Sequence, residues 1–122
     1  MDIQKPVRKS LNVPDQLRIF GGGRFEIVKL DEMVLGRVTL MPGWRWSKDV
    51  GPAMKRDSCR AHHVEYIISG RMRVRMDDGT EIELASGDVA MIPPGHDNWV
   101  VGDQPCTFVD FTGMKEYART AY

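Results

Sequence analysis

Short stretches of alternating or mainly apolar residues cover most of the chain from Phe25 onward. Each stretch is rich in Val, Ile or Phe, or alternates between apolar and polar residues with a period of two. This pattern is typical of strands that bury one face. We predict strands at residues 25–30, 34–41, 63–69, 71–76, 81–84, 89–92, 99–101 and 107–111.

The clearest strand is the segment 71–76, where arginines alternate with apolar residues. Met72, Val74 and Met76 should face the core, and the arginines should face the solvent. Asp78-Gly79 is a strong tight-turn dipeptide that leads into the next strand. Because that strand carries acidic residues, we expect ion pairs across the two strands.

Glycine, proline and aspartate separate these strands, and the chain contains no convincing long amphipathic helix. Residues 114–122 are the one candidate for a short helix. Many short, evenly spaced strands indicate a sandwich, a jelly roll or a small barrel. We therefore predict an all-β fold with an N-terminal arm at 1–24, a β-barrel at 25–113 and a C-terminal tail at 114–122.

Length and charge exclude several classes of protein. The 122 residues suffice for one domain, and 17 basic residues balance 17 acidic ones. No long-range field would attract nucleic acid or an anionic membrane. No apolar run approaches the roughly 20 residues of a membrane span, and no signal peptide begins the sequence, so we expect a cytoplasmic protein. In a reducing compartment Cys59 and Cys106 should be thiols rather than a disulfide.

Imidazole and thiol side chains are concentrated at two points of the sequence. Cys59, His62 and His63 lie close together, and His96 is the only other histidine. A small barrel could bring these two points together. Nitrogen and sulfur donors gathered in this way are how many metal sites are built.

Two sequence motifs resemble those of the cupin family. The second cupin motif, G-x5-P-x-G-x2-H-x3-N, is similar to the run from Gly87 through Pro93 and Gly95 to His96. The apolar run that ends at Gly70 resembles the end of the first motif, G-x5-H-x-H-x3,4-E-x6-G. The resemblance covers residues 34–111 and is closest to small single-domain proteins described as cupin 2. It implies a double-stranded β-helix, a jelly-roll-like barrel, with a pocket inside.

The first motif departs from the family at every ligand position. Counting back from Gly70, the motif glutamate falls on His63. The two motif histidines fall on Cys59 and Asp57. The resemblance therefore implies that these three side chains face the pocket.

The second motif leaves two residues as candidates for its ligand position. His96 follows Gly95 directly, two residues earlier than the motif histidine. If the turn is shortened by two residues, His96 is the ligand. If it is not, Asn98 takes that position. The two residues share strand parity, so both should face the same side.

The four positions that the resemblance gives to the pocket all carry side chains that bind metals: Asp57, Cys59, His63 and His96. Two imidazoles, a thiolate and a carboxylate suit Zn²⁺, with Fe²⁺ or Ni²⁺ as alternatives. The histidines could instead line a metal-free pocket, and Asp57 could belong to a solvated loop. Cys59 could be a small core residue, or a catalytic thiolate activated by His63, although no third group to orient that base is evident.

Strand parity predicts which way the side chain of each remaining polar candidate faces. His62 should face away from the pocket and play a structural part. Glu65 should face inward, either as a general acid or base or paired to an arginine. Asp97 should face outward. The three tryptophans are assigned to barrel packing or dimer contacts, with pocket lining as the alternative: Trp44, Trp46 and Trp99.

Two functions remain open at this point. The first is a metal-dependent enzyme acting on a small polar substrate, with Glu65 as its catalytic acid or base. The second is a non-catalytic module that senses a ligand or a metal. The ligand set departs from the three histidines and one glutamate of cupin dioxygenases, which puts that activity in doubt. Because small cupins commonly pair their sheets, we also expect a homodimer.

Overall fold

The protein is described by a computed structural model that covers residues 4–119. Nine strands and three short helices follow one another along this part of the chain. In chain order they are β1 (Gln16–Phe20), β2 (Gly23–Leu30), β3 (Met33–Leu40), α1 (Trp46–Asp49), α2 (Gly51–Met54), β4 (His63–Ser69), β5 (Arg71–Met76), β6 (Glu81–Ala85), β7 (Val89–Ile92), β8 (His96–Val100), β9 (Cys106–Asp110) and α3 (Met114–Arg119).

The strands form two antiparallel sheets around one hydrophobic core. The larger sheet has the order β1-β2-β3-β9-β4-β7, and the smaller has the order β6-β5-β8. Buried residues from both sheets belong to a single apolar cluster, which includes Val38, Ile67, Met72 and Phe108. The predicted all-β fold is confirmed.

All eight predicted strands are present, with ends shifted by up to three residues. The largest shift is in β8, which begins at His96 rather than at Trp99. Strand β1 was not predicted and lies within the segment assigned to the N-terminal arm. It pairs with β2 at the edge of the larger sheet. Two further segments, α1 and α2, were not predicted as helices, because four residues are too few to show a helical period.

The smaller sheet confirms the alternation predicted for residues 71–76. Met72 and Val74 are buried, and the arginines point outward. Arg73 forms ion pairs of 2.8 and 3.0 Å with Glu81 and Glu83 on β6. These pairs are exposed and contribute little to stability.

Asp97 fixes helix α1 against strand β8. Its carboxylate accepts hydrogen bonds from the Ser47 backbone N–H at 3.0 Å, from the Ser47 hydroxyl at 2.9 Å and from Arg45 Nε at 2.9 Å. These bonds hold the first turn of α1, and the neighbouring Trp46 side chain is buried in the core. Asp97 thus faces away from the interior, as strand parity predicts.

Helix α3 packs on the larger sheet through its apolar residues. Met114 and Tyr117 are buried, with exposed fractions of 1% and 2%. Gly36 on β3 makes this contact possible, because a Cβ atom there would lie 2.4 Å from Met114 Cγ. Gly113, just before the helix, is equally constrained, since a Cβ atom there would overlap the His63 ring. None of the helices in residues 4–119 is long and apolar enough to cross a membrane.

Candidate metal centre

A small cavity lies inside the fold, between the two sheets and beneath helix α3. Its volume is about 20 Å³, which is enough for one water molecule or one metal ion. Its walls are mainly apolar and aromatic, and its polar members are His63, Glu65, His96, Asn98, Asp110 and Tyr117. A charge or hydrogen bond in such a dry setting acts more strongly than it would in water.

Three potential metal ligands lie close together beside this cavity, and two of them, His63 and His96, line it. One donor atom from each of Cys59, His63 and His96 lies within 4.8 Å of the other two, and all three residues are buried. The structure thus brings together the two points of the sequence where imidazole and thiol side chains are concentrated.

Backbone pairing explains why these residues meet. The Cys59 N–H donates to the His96 carbonyl at 2.7 Å, and the Gly95 N–H donates to the Cys59 carbonyl at 2.8 Å. His63 is the first residue of β4, and His96 is the first residue of β8. The site therefore stands where the strand ends of the two sheets approach each other.

Hydrogen bonds at Nδ1 orient both imidazoles. His96 Nδ1 lies 2.7 Å from the Pro93 carbonyl oxygen. A carbonyl oxygen can only accept, so Nδ1 carries a proton and Nε2 is left for another partner. His63 Nδ1 is hydrogen-bonded to the Asp110 carboxylate in the same way, and its Nε2 lies 3.5 Å from Cys59 Sγ. Metal-binding histidines in proteins are commonly held by such partners.

Asp110 is a site residue that sequence reasoning missed. It ends β9, is fully buried and accepts hydrogen bonds from the backbone N–H groups of Thr112 and Gly113 at 3.0 and 2.8 Å. Strand parity could have found it, since it shares the inward face of β9 with Cys106 and Phe108. Its contact with His63, 47 positions earlier in the chain, is not visible in any local motif.

Tyr117 is the second residue that sequence reasoning missed. Its hydroxyl lies 3.0 Å from Trp46 Nε1 and 3.4 Å from Cys59 Sγ. Burial and the neighbouring Cys59 raise the pKa of Tyr117 well above its ordinary value. The residue lies in the segment predicted as a C-terminal tail, where no pattern indicated a part in the site.

Cys59 and His63 favour each other's charged forms. Burial alone would raise the pKa of the Cys59 thiol, but hydrogen bonds from His63 and His96 outweigh it and lower this pKa to about 6. Burial alone would lower the pKa of His63, but the hydrogen bonds with Asp110 and Cys59 raise it well above the usual value. A thiolate is therefore readily available at this position.

Glu65 faces inward, as strand parity predicts. It is 3% exposed, and its Oε2 atom lies 3.8 Å from His63 Nδ1. Its Oε1 atom has no hydrogen-bond partner among the described residues. Burial raises the pKa of Glu65 to about 8. The side chain is thus a neutral carboxylic acid near pH 7, and no arginine pairs with it in the described part of the chain.

The other polar candidates lie outside the group of Cys59, His63 and His96. Asp57 is exposed and lies outside the groups of potential ligands found among the described residues. The chain bends at Asp57 and Ser58, which turns the carboxylate away from the cavity. Asn98 faces the same side as His96, as predicted, but its amide donates to Met72 Sδ at 3.1 Å. His62 is exposed, as its parity predicts.

The tryptophans and the second cysteine are also accounted for. Trp44 and Trp46 line the cavity, whereas Trp99 lies under the Arg45 guanidinium at 4.3 Å. Cys59 and Cys106 are both buried free thiols, as predicted. Burial raises the pKa of Cys106 to about 12, so the two thiols differ sharply in chemistry.

Comparison with known families agrees with the fold. Residues 45–117, more than half of the chain, match the family model described as the EutQ-like cupin domain. This confirms the resemblance to the cupin superfamily, through a different subdivision from the cupin 2 group. No curated protein is significantly similar to the chain.

Solved structures show the same fold at low sequence identity. Oxalate decarboxylase from Bacillus subtilis, in a study of its Mn(II) centres, superposes with a TM-score of 0.57 at 22% identity over 84% of this chain. The alignment covers 28% of that chain, so the present protein spans little more than a quarter of its length. A protein of unknown function from Acinetobacter gives a TM-score of 0.59 at 14% identity and covers 80% of this chain and 90% of that one.

We predict that Glu65→Gln changes the pH dependence of stability. The folded-state pKa of Glu65 is raised from 4.5 to about 8, so the folded protein holds a proton that the unfolded chain releases. The wild type should therefore lose stability relative to the variant as pH rises from 4.5 to 8, by roughly 2–4 kcal/mol. Urea unfolding of both proteins at pH 5 and pH 8.5, with a chelator present, measures this. An unchanged difference between the two proteins at both pH values would contradict the assignment.

Proposed function

Because this chain belongs to the cupin superfamily, we propose that its interior cavity is a metal centre that acts on, or binds, a small polar molecule. Zn²⁺ would be held by Cys59, His63 and His96. The observation that carries the proposal is that one sulfur and two imidazole side chains, all buried, have donor atoms within 4.8 Å of one another. Both rings are hydrogen-bonded at Nδ1, which leaves Nε2 for the metal.

The spacing of the ligand atoms suits a tetrahedral zinc site. Zinc lies about 2.3 Å from sulfur and about 2.0 Å from nitrogen, which puts two tetrahedral ligands about 3.5 Å apart. Cys59 Sγ and His63 Nε2 are separated by 3.5 Å. This pair can bind zinc with little movement of the backbone, so the cost of forming the site is small.

The donor types favour zinc over harder metals. Thiolate and imidazole suit Zn²⁺, with Fe²⁺ and Ni²⁺ as alternatives, whereas carboxylate and water oxygens suit Mn²⁺ and Mg²⁺. We therefore expect a metal that differs from the Mn(II) named for the oxalate decarboxylase structure. Cys59 is the residue that produces this difference, because it supplies the single soft ligand.

Glu65 is the proposed acid and base of the site. A bound metal supplies Lewis acidity and can activate a water molecule or a carbonyl group. Glu65 is neutral near pH 7 and has an unpartnered oxygen in the cavity. It can therefore donate a hydrogen bond or a proton to a molecule bound there. A non-catalytic sensing function would not need this costly buried acid, which favours the enzyme over the sensing module.

A second candidate function is nucleophilic catalysis by Cys59. Asp110 supplies the third group that the sequence did not reveal. It orients His63, and His63 Nε2 faces Cys59 Sγ at 3.5 Å. Cysteine, histidine and aspartate in this order can activate a thiolate. Metal binding and nucleophilic attack need the same sulfur lone pairs, so the metal content of the purified protein decides between them.

We predict one zinc ion per chain in protein purified without a chelator. Cys59→Ser and His63→Gln should each weaken zinc binding by roughly 100-fold or more, because a ligand is lost. His62→Gln and Asp57→Asn are matched controls and should bind zinc as the wild type does. Elemental analysis and competition with a zinc-binding dye measure the affinities. Less than about one metal per ten wild-type chains would contradict the proposal and favour the thiolate function.

We also propose that the protein is a homodimer formed through strand β7. This edge strand carries no charged residue, and Val89 and Met91 are 70% and 72% exposed. Tyr66 and Ile68 extend the apolar face onto β4, with exposed fractions of 43% and 44%. Edge strands and apolar faces of this kind are usually covered. A second copy of the same uncharged edge is the proposed cover.

We predict that Val89→Lys combined with Met91→Lys gives a monomer. Two lysines on each edge would repel across the proposed two-fold axis. Ile19→Lys, on the opposite edge strand β1, is the control and should leave the dimer intact. Sedimentation velocity of the three proteins measures the change. A monomeric wild type, or a dimer that survives the double substitution, would contradict the proposed interface.

A further inference from the structure

We infer that Tyr117 is a fourth ligand, which closes the metal centre from the C-terminal helix α3. The inference rests on the proposed metal site. It assigns to Tyr117 the coordination position that a small molecule would otherwise occupy. The site is then closed with α3 in place and opens when the helix moves away.

The position of the phenol oxygen fits this assignment. Tyr117 Oη lies 3.4 Å from Cys59 Sγ, and Cys59 Sγ lies 3.5 Å from His63 Nε2. Both separations agree with the edge of about 3.5 Å expected between ligands of a tetrahedral zinc ion. Tyr117 therefore lies at the same distance from the sulfur as a residue already assigned as a ligand.

Trp46 fixes the direction of the phenol oxygen. The indole Nε1–H can only donate, and it points at Tyr117 Oη over 3.0 Å. The remaining hydrogen of the phenol is then free to point at Cys59 Sγ. When a metal replaces that hydrogen, the phenol oxygen can bind it while the bond from Trp46 is kept. The hydrogen bond from Trp46 also stabilises negative charge on the oxygen.

Helix α3 holds Tyr117 against the cavity, and the inferred opening requires the helix to move. The Tyr117 side chain is 2% exposed and forms part of the cavity wall together with Met114. The cavity holds about 20 Å³, so no substrate fits beside the metal while the helix is in place. The helix has only six residues, and a half-exposed ion pair between Arg56 and Glu116 is one of its ties to the rest of the fold.

Four protein ligands close a tetrahedral zinc site, and three leave one position open. With Tyr117 bound, the centre should therefore be inert toward small anions. Release of Tyr117 should open a coordination position at the cavity, whose wall also includes Glu65. The same residue thus controls both the access of a small molecule and the coordination number of the metal.

The inference is tested on Co²⁺-loaded protein titrated with azide, with visible absorption as the readout. Wild type and Tyr117→Phe should both bind Co²⁺, but azide should change the spectrum of Tyr117→Phe at concentrations at least tenfold lower. Tyr66→Phe is the matched control and should bind Co²⁺ and azide as the wild type does, because Tyr66 lies on the outer face of β4, outside the metal centre. Equal azide binding by wild type and Tyr117→Phe would overturn the inference and leave the proposed function standing.

A second measurement needs no substitution. Resonance Raman spectra of Cu²⁺-loaded wild type should show the ring modes of a metal-bound tyrosinate, and their absence would overturn the inference. Failure of the wild type to bind Co²⁺ would overturn the proposed function and this inference with it. The outcomes therefore separate an error about Tyr117 from an error about the metal.

Discussion

The site depends on the hydrogen bond between His63 and Asp110. This bond joins the start of β4 to the end of β9 inside the core, where both side chains are buried. It holds the His63 ring so that Nε2 lies 3.5 Å from Cys59 Sγ. A buried carboxylate needs such partners, and Asp110 also accepts two backbone N–H groups in the turn before α3. One carboxylate thus orients the metal-binding ring and anchors the helix that carries Tyr117.

The rest of the centre is arranged around this bond. The backbone pairing of Cys59 with His96 sets the sulfur against both rings. Burial strengthens the pairing of charges and raises the pKa of Glu65 to about 8. The pKa values of Cys59 and Glu65 are therefore shifted in opposite directions. The pKa of the thiol is lowered by its imidazole neighbours, and the pKa of the carboxyl is raised by burial.

Local patterns predicted the strands and the facing of individual side chains, because strand periodicity is a property of neighbouring residues. They placed Glu65 inward and His62 outward, and the motif count brought Cys59, His63 and His96 to one pocket. The same count also placed Asp57 in the pocket. The count assumed the residue spacing of the family motif, but this chain bends at Asp57 and Ser58, just before Cys59. Asp110 and Tyr117 could not be found in this way, since their contacts join residues 47 and 58 positions apart.

The proposed centre requires one sulfur and two imidazole nitrogens to bind the same metal ion. X-ray absorption at the zinc edge of the purified, metal-loaded protein tests it most directly. We expect one sulfur neighbour at about 2.3 Å together with nitrogen or oxygen neighbours at about 2.0–2.1 Å. A shell of nitrogen and oxygen alone, without sulfur, would contradict it, because zinc would then lie away from Cys59.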